Sequence, residues 1–288
     1  MTIRGRSITS SDIQRIQCLM DENPHWHRTK LSRELCIVWD WKAFNGQYKD
    51  MACRGLLLKL EMLGLITLPP RRARAYNSLR HRLVHPVQHQ QSPIHASLKT
   101  LVPLHIERVQ KDEHKALFHT LLALYHYLGY CRTAGENMKY IIFDRNDTPI
   151  ACSLFGSPAW KVAPRDSFIN WKTQTRKQRL HFIANNQRFL ILPWVRVPHL
   201  ASHILGLIAR RLRDDFVHKY GHPVYLLETF VERQRFQGTC YKAANWLLVG
   251  QTKGRTRNDR YNTIRVPIKD IYLYPLIPNF REALHGIS

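Results

Sequence analysis

Glu228 stands inside an otherwise apolar run, "PVYLLETFV", whose neighbours ask to be buried. A lone carboxylate is costly to bury, so Glu228 must be paired or open to a cleft. Arg188, Asp166 and His199 are the polar groups that sequence order places near it. Two chemistries suit such a set. Glu228 and Asp166, joined by Asp144 or Asp147, could hold a divalent metal and act as a nuclease on a phosphodiester. Alternatively, a Glu–Arg pair ties the strand to its helices, which is the simpler arrangement because structural ion pairs often imitate active sites. His199 and His203 are spaced to offer two imidazoles to one metal from a helix start, without a third ligand. His81, His85 and His89 share that spacing, but Pro86 would break the helix they need. Cys240 and Tyr241 in "GTCYKAAN" read as a nucleophile and a general acid, or as a small packing residue and a hydrogen bond across a cleft. The six cysteines contain no CxxC pair and fit reduced thiols.

The charge balance points to the partner. The 288 residues carry 44 Lys and Arg against 21 Asp and Glu, a net charge of +23. Such a surplus is the footprint of a protein that meets nucleic acid or an anionic surface. No stretch approaches the ~20 apolar residues of a membrane span. The N-terminal "MTIRGRSITSSD" lacks the apolar core of a secretion signal, so a cytoplasmic location is expected. Candidate phosphate contacts fall in three groups: Lys49, Arg54 and Lys59; Arg71, Arg72 and Arg74; and Lys253, Arg255, Arg257, Arg260 and Arg265 with Tyr261 for stacking. A solvated hairpin tip is the plainer reading of the last group.

Three helical patterns open the chain. "SSDIQRIQCLMDEN" begins at Ser10 or Ser11 as cap and spaces Ile13, Ile16, Leu19 and Met20 along one face. "HRTKLSRELCIVWDW" is capped by Thr29 and aligns Leu31, Leu35 and Val38. A third helix aligns Met51, Leu56, Leu60 and Leu63 and stops at Gly64. "LITLPPRRAR" reads as a short strand entering a basic turn. The plan is a winged helix-turn-helix over residues 1–75, with Lys49, Arg54 and Lys59 on the groove-reading helix and Arg71, Arg72 and Arg74 in the wing. A three-helix protein-interaction module is the alternative. Residues 76–104, free of acid and punctuated by proline, read as a basic linker. Residues 105–288 then run helix, hairpin turning at Asn146-Asp147, strand, long helix closed by Gly221, buried strand, short helix capped by Thr239, and strand. That order makes a layered sheet of the α/β (α+β) class.

This second unit resembles the GCN5-related acetyltransferase (GNAT) fold. The resemblance implies that "LPWVRV" and "YLLETF" are neighbouring strands splaying apart into a cleft. The family's glycine-bearing pyrophosphate loop is replaced here by "VPHLASHIL", so an acetyl-CoA grip is not expected. The longer motifs "YHYLGY", "APRDSFINW", "RFLILPWVRVPHLASHILG", "GHPVYLLETFVERQRFQGTCYKAANWLLVGQTKGR" and "KDIYLYPL" resemble the DruA family of Druantia anti-phage defence, a relative of an N-terminal domain in some insertion-sequence transposases. The chain ends soon after "KDIYLYPL", like the stand-alone defence form. The resemblance implies a role in antiviral defence on DNA with partner proteins and supplies no reaction; a helicase is one candidate partner, and a metal-dependent nuclease or strand-processing protein and a degenerate acetyltransferase fold kept for assembly are the alternatives.

Overall fold

In the computed structural model, residues 2–3, 6–42, 46–70, 86–130, 133–254 and 266–286 are described. They divide into two compact units, Met1–Arg80 and His81–Ser288. In the first, β1 (Thr2–Ile3) pairs with β2 (Arg6–Ser7), and α1 (Ser10–Glu22), α2 (Arg28–Val38) and α3 (Asp50–Met62) follow. Thr9, not Ser10 or Ser11, caps α1. Asp12 stands three residues on and completes a reciprocal capping box, its carboxylate accepting the Thr9 N–H at 2.9 Å. His27 rather than Thr29 caps α2, its ring nitrogen accepting the Lys30 N–H at 3.3 Å.

The core of this unit joins Ile16, Leu31, Leu35, Cys53, Leu56, Leu57 and Leu60. Met51, Leu63 and Val38, expected on the buried faces, are exposed. The expected strand at residues 65–70 is not formed. Arg28 and Glu61 hold that segment on the helices instead: Pro69 O accepts from Arg28 Nε at 2.6 Å, and Leu68 N–H donates to Glu61 Oε1 at 3.3 Å. Ile66 and Leu68 are thereby drawn into the helical core. A wing is therefore not seen among the described residues, and Arg71, Arg72 and Arg74 lie outside them.

The segment expected to be a linker is partly built into the second unit. Within residues 86–104, β3 (Ile94–His95) pairs in parallel with β8 (Val195–Arg196), and α4 (Leu98–Leu101) buries Leu101. Val87 N–H donates to Thr120 Oγ1 at 3.1 Å. Prolines and missing periodicity do not distinguish a free linker from an extended segment laid along a surface.

The remaining elements are β4 (His105–Arg108), α5 (Asp112–Tyr125), β5 (Asn137–Phe143), β6 (Pro149–Gly156), α6 (Ala163–Ile169), α7 (Thr173–Arg179), β7 (Ile183–Ile191), α8 (Leu200–Tyr220), β9 (Leu226–Glu232), α9 (Thr239–Ala243), β10 (Leu247–Gln251), β11 (Lys269–Pro275) and α10 (Phe280–His285). Among the described residues, seven strands form one mixed sheet in the order β10-β11-β9-β7-β6-β5-β4. Every neighbouring pair is antiparallel except β7 with β9. The predicted succession of helix, hairpin, strand, long helix, buried strand and short helix is present, and the mixed α/β class holds. Helices α5 and α8 share a large apolar cluster with the sheet, while α6 and α10 share a second with β9 and β11. On α5 the buried side is Phe118, Leu121 and Leu122, whereas Leu124 and Leu128 are exposed.

Two features of β7 shape the centre of the sheet. Leu154 faces Arg188 and Phe155 faces Asn186, so Gln187 is an extra residue, a β-bulge that bends the strand. Its side chain lies against Gly156, where an added Cβ would come within 2.6 Å of the carboxamide nitrogen. On its other side β7 pairs with β9 only at Ile183–Leu226, Ala184–Leu227 and Asn185–Glu228. Beyond that point the two strands part.

Candidate functional site

The parted strands enclose a cleft of about 720 Å³. Its walls come from β7, from β9, from the end of α5 with the following loop, and from the loop that enters α9. Arg188 braces one wall, donating from Nε to Gly129 O at 3.0 Å and from Nη1 to Gln187 O at 2.7 Å. Gly238, with φ +68°, turns the chain into α9 as its N-cap, in place of the expected Thr239. Only a residue without Cβ fits there, because a methyl group would stand 2.5 Å from the Tyr272 hydroxyl.

The lining is aromatic, amide-bearing and cationic. It includes Tyr127, Phe236, Asn185, Arg188 and Lys269, and no Asp or Glu among the described residues. His126 is held neutral: its Nδ1 accepts the Leu128 N–H at 3.2 Å, and burial, aided by the Arg188 cation, lowers its pKa to about 4. The ring proton therefore sits on Nε2. The Asn185 side-chain oxygen is buried with no hydrogen-bond partner among the described residues.

Beneath the cleft a polar network fixes its floor. Tyr241 Oη donates to Asn186 Oδ1 at 2.7 Å, Thr229 Oγ1 donates to Asn186 O at 3.0 Å, and Asn186 Nδ2 donates to Ser153 Oγ at 3.0 Å. Tyr241 thus makes the cross-cleft hydrogen bond anticipated as one of its two roles. Burial drives its hydroxyl pKa well above the usual phenol value, and pushes the Cys240 thiol up to about 11. A thiol so raised is a poor nucleophile at neutral pH.

Glu228, paired in register with Asn185 where the β7–β9 ladder ends, is fully buried and does not line the cleft. Its partner is Arg165, not Arg188. Glu228 Oε2 accepts from Arg165 Nη1 at 2.7 Å, and Oε1 accepts the Ala159 N–H at 2.7 Å. The same guanidinium grips Asp166 Oδ1 through Nε and Nη2 at 3.0 and 2.7 Å, and Arg176 Nη1 donates to Asp166 Oδ2 at 2.9 Å. Two carboxylates and two guanidiniums therefore form a neutral cluster in which every carboxylate oxygen has a donor. It clamps α6, α7 and residue 159 to β9. Burial still pushes the Glu228 pKa upward, against the pull of Arg165 and the Ala159 N–H.

The other anticipated carboxylates do not join this pair. Asp144 caps the β5–β6 turn, accepting the Asn146 and Thr148 N–H groups at 2.9 Å each. That turn is at the opposite end of β6 from Gly156, whose partner Asn185 is in register with Glu228, a separation of roughly 20 Å by strand rise. Among the described residues no three His, Cys, Asp or Glu side chains converge as metal ligands. His199 precedes α8 as a backbone cap with φ +63°, and its side chain caps nothing. His89 bonds Val87 O and Tyr125 Oη and stacks on Trp194, while His81 and His85 lie outside the described residues.

The predicted nucleic-acid contacts are dispersed. On α3, Arg54 is paired with Asp50, Lys49 is exposed at the helix start and Lys59 is half-buried. The exposed side of that helix is apolar, with Met51 at 70%, Met62 at 79% and Leu58 at 38% exposure. Lys253 is exposed beyond β10, and Arg255, Arg257, Arg260, Tyr261 and Arg265 lie outside the described residues. Sequence reading passed over Arg165 and Arg176, and over His126, Tyr127, Asn185 and Phe236. The available signals were Arg165 adjoining Asp166 behind a helix-starting proline, and aromatic residues set among cations in "YHYLGY" and "RQRFQG".

Among solved structures, a spermidine N-acetyltransferase from Vibrio cholerae overlaps 60% of this chain and 95% of its own, at 8% identity and TM-score 0.41. The ribosomal L7/L12 alpha-N-protein acetyltransferase RimL overlaps 62% and 96%, at 10% identity and TM-score 0.36. Likenesses at that level carry no functional weight. In sequence, Druantia protein DruA from Escherichia coli (strain UMEA 4076-1) is 25% identical over 163 residues, 56% of this chain. The match takes in 38% of that relative, so the chain spans well under half of its length. No helix among the described residues is long and apolar enough to cross a membrane. The family model described as Druantia protein DruA matches residues 60–269, leaving most of the three-helix unit outside it but covering more than half of the chain, which therefore belongs to the DruA family.

Proposed function

We propose that this chain is a DNA-binding component of bacterial anti-phage defence that works with other proteins of its system, a helicase among them. The observation that carries the reading is the net charge of +23. Internal pairing does not absorb it: the Arg165–Glu228–Asp166–Arg176 cluster is neutral, so the surplus falls on the rest of the molecule. Cations in that excess neutralise phosphates and release counterions. The first unit, as a winged helix, and the basic loop after β10 are the two proposed contact surfaces. Paired substitutions test them: Arg71→Ala with Arg72→Ala, and Arg255→Ala with Arg257→Ala, should each weaken DNA binding several-fold without unfolding the protein. Unchanged affinity in both would remove these surfaces.

A second reading rests on the α3 face. Met51, Leu58 and Met62 leave an apolar stripe exposed where a groove-reading helix would carry polar side chains. In that reading the three-helix unit is an assembly module and DNA is met elsewhere. Met51→Lys with Met62→Lys would then release a copurifying partner and leave DNA affinity intact. A metal-dependent nuclease would require Glu228 and Asp166 to leave Arg165 and Arg176.

A further inference from the structure

We infer that the cleft between β7 and β9 receives an unpaired nucleobase of the bound DNA. This inference rests on the DNA-binding reading and names what the second unit recognises. Size is the first argument: about 720 Å³ lies within the range of small-molecule sites and accommodates a nucleotide. Charge is the second. The lining contains Arg188 and Lys269 and no carboxylate, which suits a ligand bearing phosphate and opposes a cationic one. The third is the exposed aromatic rim. Tyr127 and Phe236 are 37% and 45% exposed, with ring centroids 5.2 Å apart. The Arg235 guanidinium lies 4.8 Å from the Tyr127 ring centre. Flat rings beside a cation are the surface on which single-stranded nucleic acid stacks.

Asn185 adds an independent sign. Its buried side-chain oxygen has no donor among the described residues, a state that normally costs stability and needs an explanation. Asn185 lines the cleft, and with its carboxamide turned outward that oxygen would accept from the exocyclic amine or ring N–H of a base. His126, fixed with its proton on Nε2, offers a donor with no charge of its own. The ladder between β7 and β9 ends at Asn185 and Glu228, so backbone groups beyond it also face the cleft. Together these groups can read a base edge, while the outer cations meet its phosphate.

The test compares the full chain on three DNA duplexes: fully paired, with one unpaired central nucleotide, and with an abasic site at that position. The expected result is about tenfold tighter binding to the unpaired nucleotide than to the paired or abasic duplex, a ratio in the range of one stacked base. Phe236→Ala and Asn185→Ala should each bring that ratio to within about twofold. Both should fold, since one removes a half-exposed ring and the other a carboxamide whose oxygen has no partner among the described residues. Equal, salt-sensitive binding to all three duplexes would overturn the inference and leave the DNA-binding reading standing. Equal affinity for the abasic and unpaired duplexes would overturn it too, by showing that backbone flexibility is sensed. Displacement by free dAMP, without preference among duplexes, would assign the cleft to a free nucleotide instead. No DNA binding at any salt would defeat both readings.

Discussion

Replacing Arg165 with methionine isolates the buried charge cluster from everything else in the second unit. The guanidinium is fully buried and makes four hydrogen bonds, three of them to Asp166 and Glu228 at 2.7–3.0 Å and one to Ala159 O at 2.8 Å. In Arg165→Met, Glu228 keeps only the Ala159 N–H as a partner among the described residues. Removing one member of a buried ion pair costs about 3–5 kcal/mol, most of it from the charge left behind. For a unit of this size each kcal/mol moves the midpoint by about 2–4 °C, so Tm should fall by roughly 6–20 °C. The double variant Arg165→Met with Glu228→Met removes both charges and should recover more than half of that loss. Thermal and denaturant unfolding, followed by circular dichroism, measure both. Acid offers a check on the cause. Burial raises the Glu228 pKa, so the folded protein takes up that proton before the unfolded chain does, and the stabilisation from protonation fades as pH rises through the folded value. The gap between Arg165→Met and the unsubstituted protein should therefore narrow as pH falls from 7 toward the ordinary glutamate value. A single variant within about 1 kcal/mol of the parent, or a double variant whose losses simply add, would refute the reasoning.

Two further outcomes follow from groups around the cleft. His126 is neutral in the fold with a pKa near 4, below its ordinary 6.5. The unfolded chain thus binds the proton first, and stability should decline between pH 6.5 and 4 by at most about 1.4 kcal/mol per unit; in His126→Leu that part of the slope should vanish from the pH–stability profile. Asn186→Ala strips the Tyr241 hydroxyl and Ser153 of their shared partner, and urea melts should show a loss of about 1–3 kcal/mol.

The parts of the fold that were legible in sequence are those with a strong period or an uninterrupted apolar run. The long helix ending at Gly221, the hairpin at Asn146-Asp147 and the buried strand around Glu228 are of this kind. Pairing partners were not legible. Arg188 lies on the strand beside Glu228, yet its side chain turns to Gly129, and the carboxylate is met by Arg165 from α6, sixty-three residues earlier. Such a choice depends on which helix packs over which strand, and sequence order does not encode it locally. A cleft between splaying strands was anticipated, but the strand beside β9 is Ile183–Ile191 rather than "LPWVRV", whose Val195–Arg196 pairs with β3 instead, and the lining was not foreseen. Tyr127 and Phe236 sit in loops without a period, and Asn185 is distinguished only by what its oxygen lacks. The 65–70 segment shows the converse, a strand-like apolar pattern captured by Arg28 and Glu61 before it can pair.

The central claim is that the charge surplus meets DNA, and one titration tests it. The full chain is bound to single-stranded and double-stranded DNA at rising salt, with and without Mn²⁺. The account predicts affinity that falls linearly in log–log form with salt, with a slope of several phosphate contacts, and DNA that stays uncut. Affinity that is absent or indifferent to salt would contradict it, and cleavage lost in Glu228→Ala would make the buried cluster an active site instead.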